Sequence, residues 1–346
     1  DVVPNVRKGN GASGWGDAAT VIPWVLYHEY DDKVMLETQY QSMKGWVKYL
    51  KSRAKENYIY PGGRYGDWLS FSSTASDYPG AFTDKEFVGT AYFARSTQLL
   101  AQAAQILGKE EDRKTYSELL SRIKQSFQKE FVTRNGRLSP NTQTAYVLAL
   151  SFDLLPEDIR KDAAQRLADD VRKFGHITTG FLGTPEICNV LSDYGHDDEA
   201  YMLLFRKKFP SWLYPVTVGA TTVWESWDAI LPDGTFNKGS LNHFAYGAIG
   251  DWLFSRVAGI RQAEGSTAYK EIVIKPHFTT SLSFARATYY SMYGPISSHW
   301  QRTDTGLELH VSIPPNTTAQ VHLPTENGWK IEEIGSGNYT FTNIHE

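Results

Sequence analysis

Apolar residues recur at steps of three and four along most of this chain, then at steps of two over its C-terminal part. That change of period constrains the fold more than any other feature. A repeat near 3.6 buries one face of a helix, and a repeat of two buries one face of a strand. From about residue 16 to about residue 260 the reading is mostly helical. Segment 33–53 carries Met35, Leu36, Tyr40, Met43, Trp46, Val47 and Leu50 on one face. Segments 84–107, 112–131, 140–153, 157–174, 185–194 and 244–258 follow. Thr83 is expected to cap the first of these and Gly108 to stop it. Gly175, Gly195 and Gly259 are expected to end three helices as C-cap glycines. Loops rich in Gly, Trp and Asp lie between, at 9–16, 61–69, 180–184 and 215–239. Paired helices arranged around a ring would gather such loops on one rim, where function collects.

Beyond about residue 265 the runs 270–274, 282–290, 297–302, 307–313, 319–323, 330–334 and 339–342 are short and rich in β-branched and aromatic residues. Gly, Pro and Asn punctuate them. The expectation is a β-sandwich, with domains at 1–264 and 265–346. A chain of 346 residues is long enough for about two domains. Its core needs no disulfide or metal.

The charge balance, 35 basic against 39 acidic residues, leaves a net −4, a poor match to nucleic acid or an anionic membrane. No apolar run reaches the length of a transmembrane helix. The single cysteine, Cys188, excludes an intrachain disulfide and a multi-cysteine zinc site. It falls in a helical run beside Ile187 and Val190, the setting of a buried structural thiol. With no charged-then-apolar leader at residues 1–7, this favours the cytoplasm. The first residues, with no initiating Met, read like the middle of a protein. The sequons at Asn316 and Asn338 are expected by chance. Aromatic residues make up 14% of the chain and charged residues only 21%. Such a composition needs a large core or a surface for flat, partly apolar ligands.

Gly9-Asn10-Gly11-Ala12-Ser13-Gly14 fits G-x-G-x-x-G, but neither a preceding strand nor a following βαβ unit accompanies it. A glycine-rich loop presenting Trp15 and Asp17 is the better reading. There is no G-x-S-x-G, no H-E-x-x-H and no phosphate loop, and the histidines show no metal spacing. The sharpest segment is Gly219-Ala220-Thr221-Thr222-Val223-Trp224-Glu225-Ser226-Trp227-Asp228. Glu225 stands between two tryptophans, whose apolar faces can desolvate a carboxylate and shape a slot for a sugar ring. A solvent-facing Glu between two core tryptophans fits the same pattern. Gly14-Trp15-Gly16-Asp17 and Tyr65-Gly66-Asp67-Trp68 repeat the theme of Trp beside Asp on a loop. Asp17 can equally cap the helix after it. His243 sits at a helix start, one loop beyond Glu225.

At these residues the chain resembles the catalytic region of bacterial α-L-rhamnosidases of glycoside hydrolase family 78. The resemblance runs in order through Asp1-Val2-Val3-Pro4-Asn5-Val6, Gly14-Trp15-Gly16-Asp17-Ala18, Gly66-Asp67-Trp68-Leu69 and Gly180-Phe181-Leu182-Gly183-Thr184-Pro185. It continues through residues 219–228, Asn242-His243-Phe244-Ala245-Tyr246-Gly247, Tyr293-Gly294-Pro295-Ile296 and Ile313-Pro314-Pro315-Asn316. It implies a mainly α fold: an (α/α)6 barrel, lacking its N-terminal helices, followed by a C-terminal antiparallel β-sandwich. It also implies hydrolysis of terminal α-L-rhamnose from a glycoside or oligosaccharide, with inversion and with no metal or cofactor. Inversion needs two carboxyl groups flanking the sugar with room for a water. By resemblance Glu225 is the general base, and Trp15, Trp68 and His243 line the pocket. Asp17, Asp67, Trp224 and Trp227 are further candidates at or behind it. The family's general acid lies in an Asp-Cys-Pro-Gln-Arg-Asp-Glu-Arg-Leu-Gly-Trp-Thr-Gly-Asp type motif upstream of the match, and these 346 residues do not contain it. The chain is therefore expected to be a C-terminal fragment with little activity alone. Two other readings stay open: a non-catalytic sugar-binding fragment, and an inverting hydrolase of similar barrel acting on another sugar.

Overall fold

The structure, a computed structural model, describes residues 11–70, 82–326 and 328–344. The Asp1-Val2-Val3-Pro4-Asn5-Val6 motif and Gly9-Asn10 of the glycine-rich loop lie outside them. The chain divides into two compact units. One comprises residues through Ile22 with Glu37–Ile249, and the other Pro23–Leu36 with Gly250–Glu346.

The helices are α1 (Ala18–Tyr30), α2 (Lys33–Arg53), α3 (Lys85–Ile106), α4 (Glu110–Phe131), α5 (Gln143–Ser151), α6 (Glu157–Phe174), α7 (Thr184–Asp193), α8 (Asp197–Phe205), α9 (Leu213–Thr217), α10 (Phe244–Gly247) and α11 (Ile249–Trp252). In α2, Tyr40, Met43, Val47 and Leu50 are buried at alternating steps of three and four, as the periodicity demands. In α6, Ala163, Ala164, Leu167, Ala168 and Val171 line one buried face. The pairs α3·α4, α5·α6, α5·α7 and α7·α8 pack together. Phe87 of α3 meets Phe127 and Phe131 of α4 with ring centroids 4.8 and 5.2 Å apart.

Local chemistry corrects two expectations. The cap of α3 is Asp84, whose carboxylate accepts from the Glu86 and Phe87 amides at 2.7 and 3.2 Å. Thr83 is instead paired with the Thr142 hydroxyl at 2.7 Å. The helix foreseen over 244–258 is broken into α10, α11 and a π-helical turn at Leu253–Val257. Gly175 does end α6 in the left-handed conformation, φ 66°. A prolyl residue inside α1, Pro23, masks that helix in the sequence pattern.

The second unit holds strands β1 (Ile260–Gln262), β2 (Glu271–Ile274), β3 (Phe284–Ser291), β4 (Gly294–Thr303), β5 (Gly306–Ile313), β6 (Thr318–Thr325), β7 (Gly328–Ile334) and β8 (Gly337–Ile344). They form two four-stranded sheets, β1-β2-β6-β7 and β3-β4-β5-β8. Ile272, Ile274, Val321 and Leu323 of the first sheet share one core with Ile296, Trp300, Leu309 and Val311 of the second. Pairing is antiparallel except between β2 and β6, which run parallel with Ile272 opposite Ala319. The chain leaves β2, builds three strands of the other sheet, and returns to β6 in the same direction, which a hairpin cannot do.

Candidate active site

Three loops of the helical unit carry the tryptophan and acid motifs. In the first, Asp17 is 1% exposed. Its Oδ2 accepts from the Gly14 amide at 2.8 Å, and its Oδ1 from Trp46 Nε1 at 2.8 Å and Ser96 Oγ at 2.5 Å. The side chain thus bends back into its own loop and ties it to α2 and α3, rather than capping α1. Burial raises its pKa to about 6, against the pull of those donors. The backbone lies flat on the Trp46 ring: a Cβ on Gly16 would sit 2.3 Å from it. Trp15 stays half-buried and meets Tyr65, centroids 4.5 Å apart.

In the second loop, Asp67 is wholly buried. Its Oδ2 accepts from Thr144 Oγ1 and from the Gly180 amide at 2.7 Å. Its Oδ1 accepts from the Leu182 and Gly183 amides at 2.7 and 3.3 Å. Burial pushes its pKa up, and these donors oppose the shift. The adjacent Trp68 is half-buried and packs edge-on to Tyr65 at 5.7 Å. The Phe181 amide donates to the Trp68 carbonyl at 2.9 Å, which sews loop 180–183 to this one. The approach is so close that a Cβ on Gly180 would lie 2.2 Å from that carbonyl oxygen.

The third loop differs. Glu225 is half-buried, and its Oε2 accepts from the Ser240 amide at 2.7 Å. The Glu225 amide donates to the Ser240 carbonyl, and the His243 amide to the Val223 carbonyl, so 223–225 and 240–243 run side by side. The flanking tryptophans are buried, Trp224 at 3% and Trp227 at 5% exposure, so they present no open slot. Trp227 stacks on Tyr246 at 3.9 Å and 6°. Tyr246 in turn reaches the Leu69 carbonyl. Asp228 is held by Ser226, Asn237 and Lys238.

His243 caps α10, its Nδ1 accepting from the Ala245 amide at 3.2 Å. The neutral ring therefore carries its proton on Nε2, a donor available to a hydroxyl. Its face meets Phe181 at 4.6 Å. A continuous series of contacts results: Trp15, Tyr65, Trp68, then through the Trp68 carbonyl to Phe181 and His243. Tyr65, Phe181 and Tyr246 were not singled out by the sequence reading. Their signal was position alone, since each stands inside a motif already quoted. Among the described residues no group of three or more His, Cys, Asp or Glu is arranged to hold a metal ion, and no helix is long and apolar enough to cross a membrane. Cys188 is buried in α7, and burial holds its thiol far above the nucleophilic range.

The family profile described as the bacterial alpha-L-rhamnosidase 6 hairpin glycosidase domain matches residues 1–257. That of the bacterial alpha-L-rhamnosidase C-terminal domain matches residues 259–338. An alpha-L-rhamnosidase of Streptomyces avermitilis is 42% identical over 99% of this chain and 34% of its own length. One from Formosa agariphila is 40% identical over 99% of this chain and 37% of its own. The crystal structure of the Streptomyces avermitilis alpha-L-rhamnosidase complexed with L-rhamnose superposes with a TM-score of 0.89, covering 97% of this chain and 34% of that one. The native enzyme from Aspergillus terreus gives 0.89 at 36% identity, covering 98% of this chain and 40% of that one. The chain thus spans about a third of the length of the curated relatives it matches. With a helical six-hairpin domain followed by an antiparallel-rich β domain, and both profiles matched in order, the chain belongs to the bacterial alpha-L-rhamnosidase family.

Proposed function

We propose that this chain is the sugar-binding and base-bearing part of an inverting glycoside hydrolase that releases terminal α-L-rhamnose from glycosides or oligosaccharides. Its helical hairpins belong to an (α/α)6 barrel, in a domain over 1–264, with the β domain over 265–346. Glu225 takes the proton of the attacking water, Trp15 and Trp68 flank the sugar ring, and His243 Nε2 donates to a sugar hydroxyl. The observation that carries this reading is the contrast in access among Glu225, Asp17 and Asp67, one acid from each of the three loops. Glu225 is half-exposed on a segment paired with the one that carries His243, while Asp17 and Asp67 are sealed by backbone and side-chain donors. A general base has to reach its water. Asp17 and Asp67 act by holding their loops, and Trp224 and Trp227 act from behind the pocket.

The same burial bears on the acid. These residues include no acid-bearing motif of the family type, and neither sealed aspartate can reach a leaving oxygen. Protonation of the leaving group contributes about 10²–10⁴-fold, so this chain alone turns over slowly while still binding L-rhamnose. Binding without turnover is also what a purely sugar-binding module would show. The two readings separate on p-nitrophenyl α-L-rhamnoside, measured beside calorimetry with L-rhamnose. Residual release that Glu225→Gln reduces about 100-fold, with L-rhamnose affinity kept, supports the hydrolase. Release unchanged by that substitution removes Glu225 from the base role.

A further inference from the structure

The Asp67 carboxylate is placed where a sugar ligand would be expected from sequence, yet it has no access to one. All four of its acceptor positions are taken: Thr144 Oγ1 and the Gly180 amide on Oδ2, the Leu182 and Gly183 amides on Oδ1. Three of these donors come from the four residues that immediately precede α7, and Thr144 stands in the first turn of α5. The residue between the captured amides is Phe181, 9% exposed, whose own amide returns to the Trp68 carbonyl. Phe181 cannot shift without breaking this stitching, and its ring is what meets the face of His243 at 4.6 Å and the edge of Tyr246 at 5.4 Å. Leu182 also backs the first loop, since a Cβ on Gly14 would lie 2.4 Å from its Cδ2.

We infer that Asp67 is a positioning residue. Its buried carboxylate fixes loop 180–183 against loop 66–69, and so sets the spacing between the Trp68 indole and the Phe181-backed His243 ring across which the sugar binds, without touching the sugar. The inference rests on the rhamnose reading for its ligand, but its structural half stands apart from that reading. Asparagine has one acceptor oxygen and turns an NH2 toward amides that already donate, so Asp67→Asn keeps the size and loses about half of the stitching. Thr144→Val removes one donor and leaves the three amides in place.

The test uses this chain with two readouts. The first is the proton resonance of the His243 ring, assigned by its loss in His243→Gln, which reports the Phe181 ring above it. The second is calorimetry with L-rhamnose. A remote core variant, Leu167→Ala in α6, is matched for stability. Asp67→Asn is expected to move the His243 resonance and weaken L-rhamnose at least tenfold. Thr144→Val is expected to move both less, and Leu167→Ala neither. An unmoved His243 resonance and unchanged affinity in Asp67→Asn would overturn the inference, as would equal losses in Leu167→Ala. Should Asp67→Asn not fold, Thr144→Val decides by the same two readouts, since a variant like wild type in both contradicts the stitching. If wild type does not bind L-rhamnose, the rhamnose reading fails while the His243 resonance still judges the positioning role.

Discussion

Asp17 and Asp67 on one side and Glu225 on the other occupy nearly the same sequence setting, an acid within two residues of a tryptophan on a glycine-rich loop. The fold treats them in opposite ways. The two aspartates are drawn inward and saturated with donors, and their tryptophans, Trp15 and Trp68, stay half-exposed. At Glu225 the acid stays half-exposed, and its tryptophans, Trp224 and Trp227, go inward. In each motif one partner anchors and the other faces out. A buried carboxylate with three or four donors makes a stiff anchor because each donor left unmet costs free energy. An acid meant to move a proton has to keep an open lone pair.

This comparison can be broken at the anchors. The largest effect is expected from Asp67→Ala, which strands four buried donors. At about 1 kcal/mol or more for each, urea unfolding should show a loss of about 4 kcal/mol. A loss like that of a surface substitution would mean that water replaces the carboxylate freely. Next comes Asp17, whose pKa is raised from 3.8 to about 6 in the folded chain. Between those values the native state holds a proton that the unfolded chain has released. The stabilisation is therefore fully present below pH 3.8 and is lost as pH rises through 6. The loss amounts to about 3 kcal/mol at 1.36 kcal/mol per pH unit. Urea unfolding of wild type and Asp17→Asn, compared from pH 4 to 7, should show the difference between them changing in that window. A constant difference would mean that Asp17 titrates normally.

The tryptophans give the smaller contrast. Trp227→Phe should cost about 1–2 kcal/mol of stability through its lost stack on Tyr246 and edge on Trp212. It should leave L-rhamnose affinity near wild type. Trp68→Phe should cost less than about 1 kcal/mol of stability and weaken the sugar instead. The reverse pattern would exchange their roles.

The sequence made the helical and β units legible wherever one face is buried against neighbours in regular register. The apolar stripes of α2 and α6 and the alternation in β5 are such cases. It hid α1 behind Pro23 and β1 in three residues. The three Trp/acid loops were legible as a group, and their division of labour was not. The side chains that seal Asp17 are Trp46 and Ser96, 29 and 79 residues away, and Asp67 is sealed by Thr144, 77 residues on, and by three amides more than 100 residues on. No local pattern encodes whether such distant donors converge on a carboxylate. The same holds for Phe181 and Tyr246, whose roles come from rings contributed by other segments.

The central claim is that Glu225 is open and faces the sugar while Asp17 and Asp67 are sealed. Carbodiimide coupling of the folded chain to a small amine, read residue by residue by peptide mass mapping with and without L-rhamnose, tests it most directly. The account predicts coupling at Glu225 that L-rhamnose suppresses, and no coupling at Asp17 or Asp67 until the chain is unfolded. Coupling at either aspartate in the folded chain at the rate of Glu225, or coupling at Glu225 that L-rhamnose leaves unchanged, would contradict it.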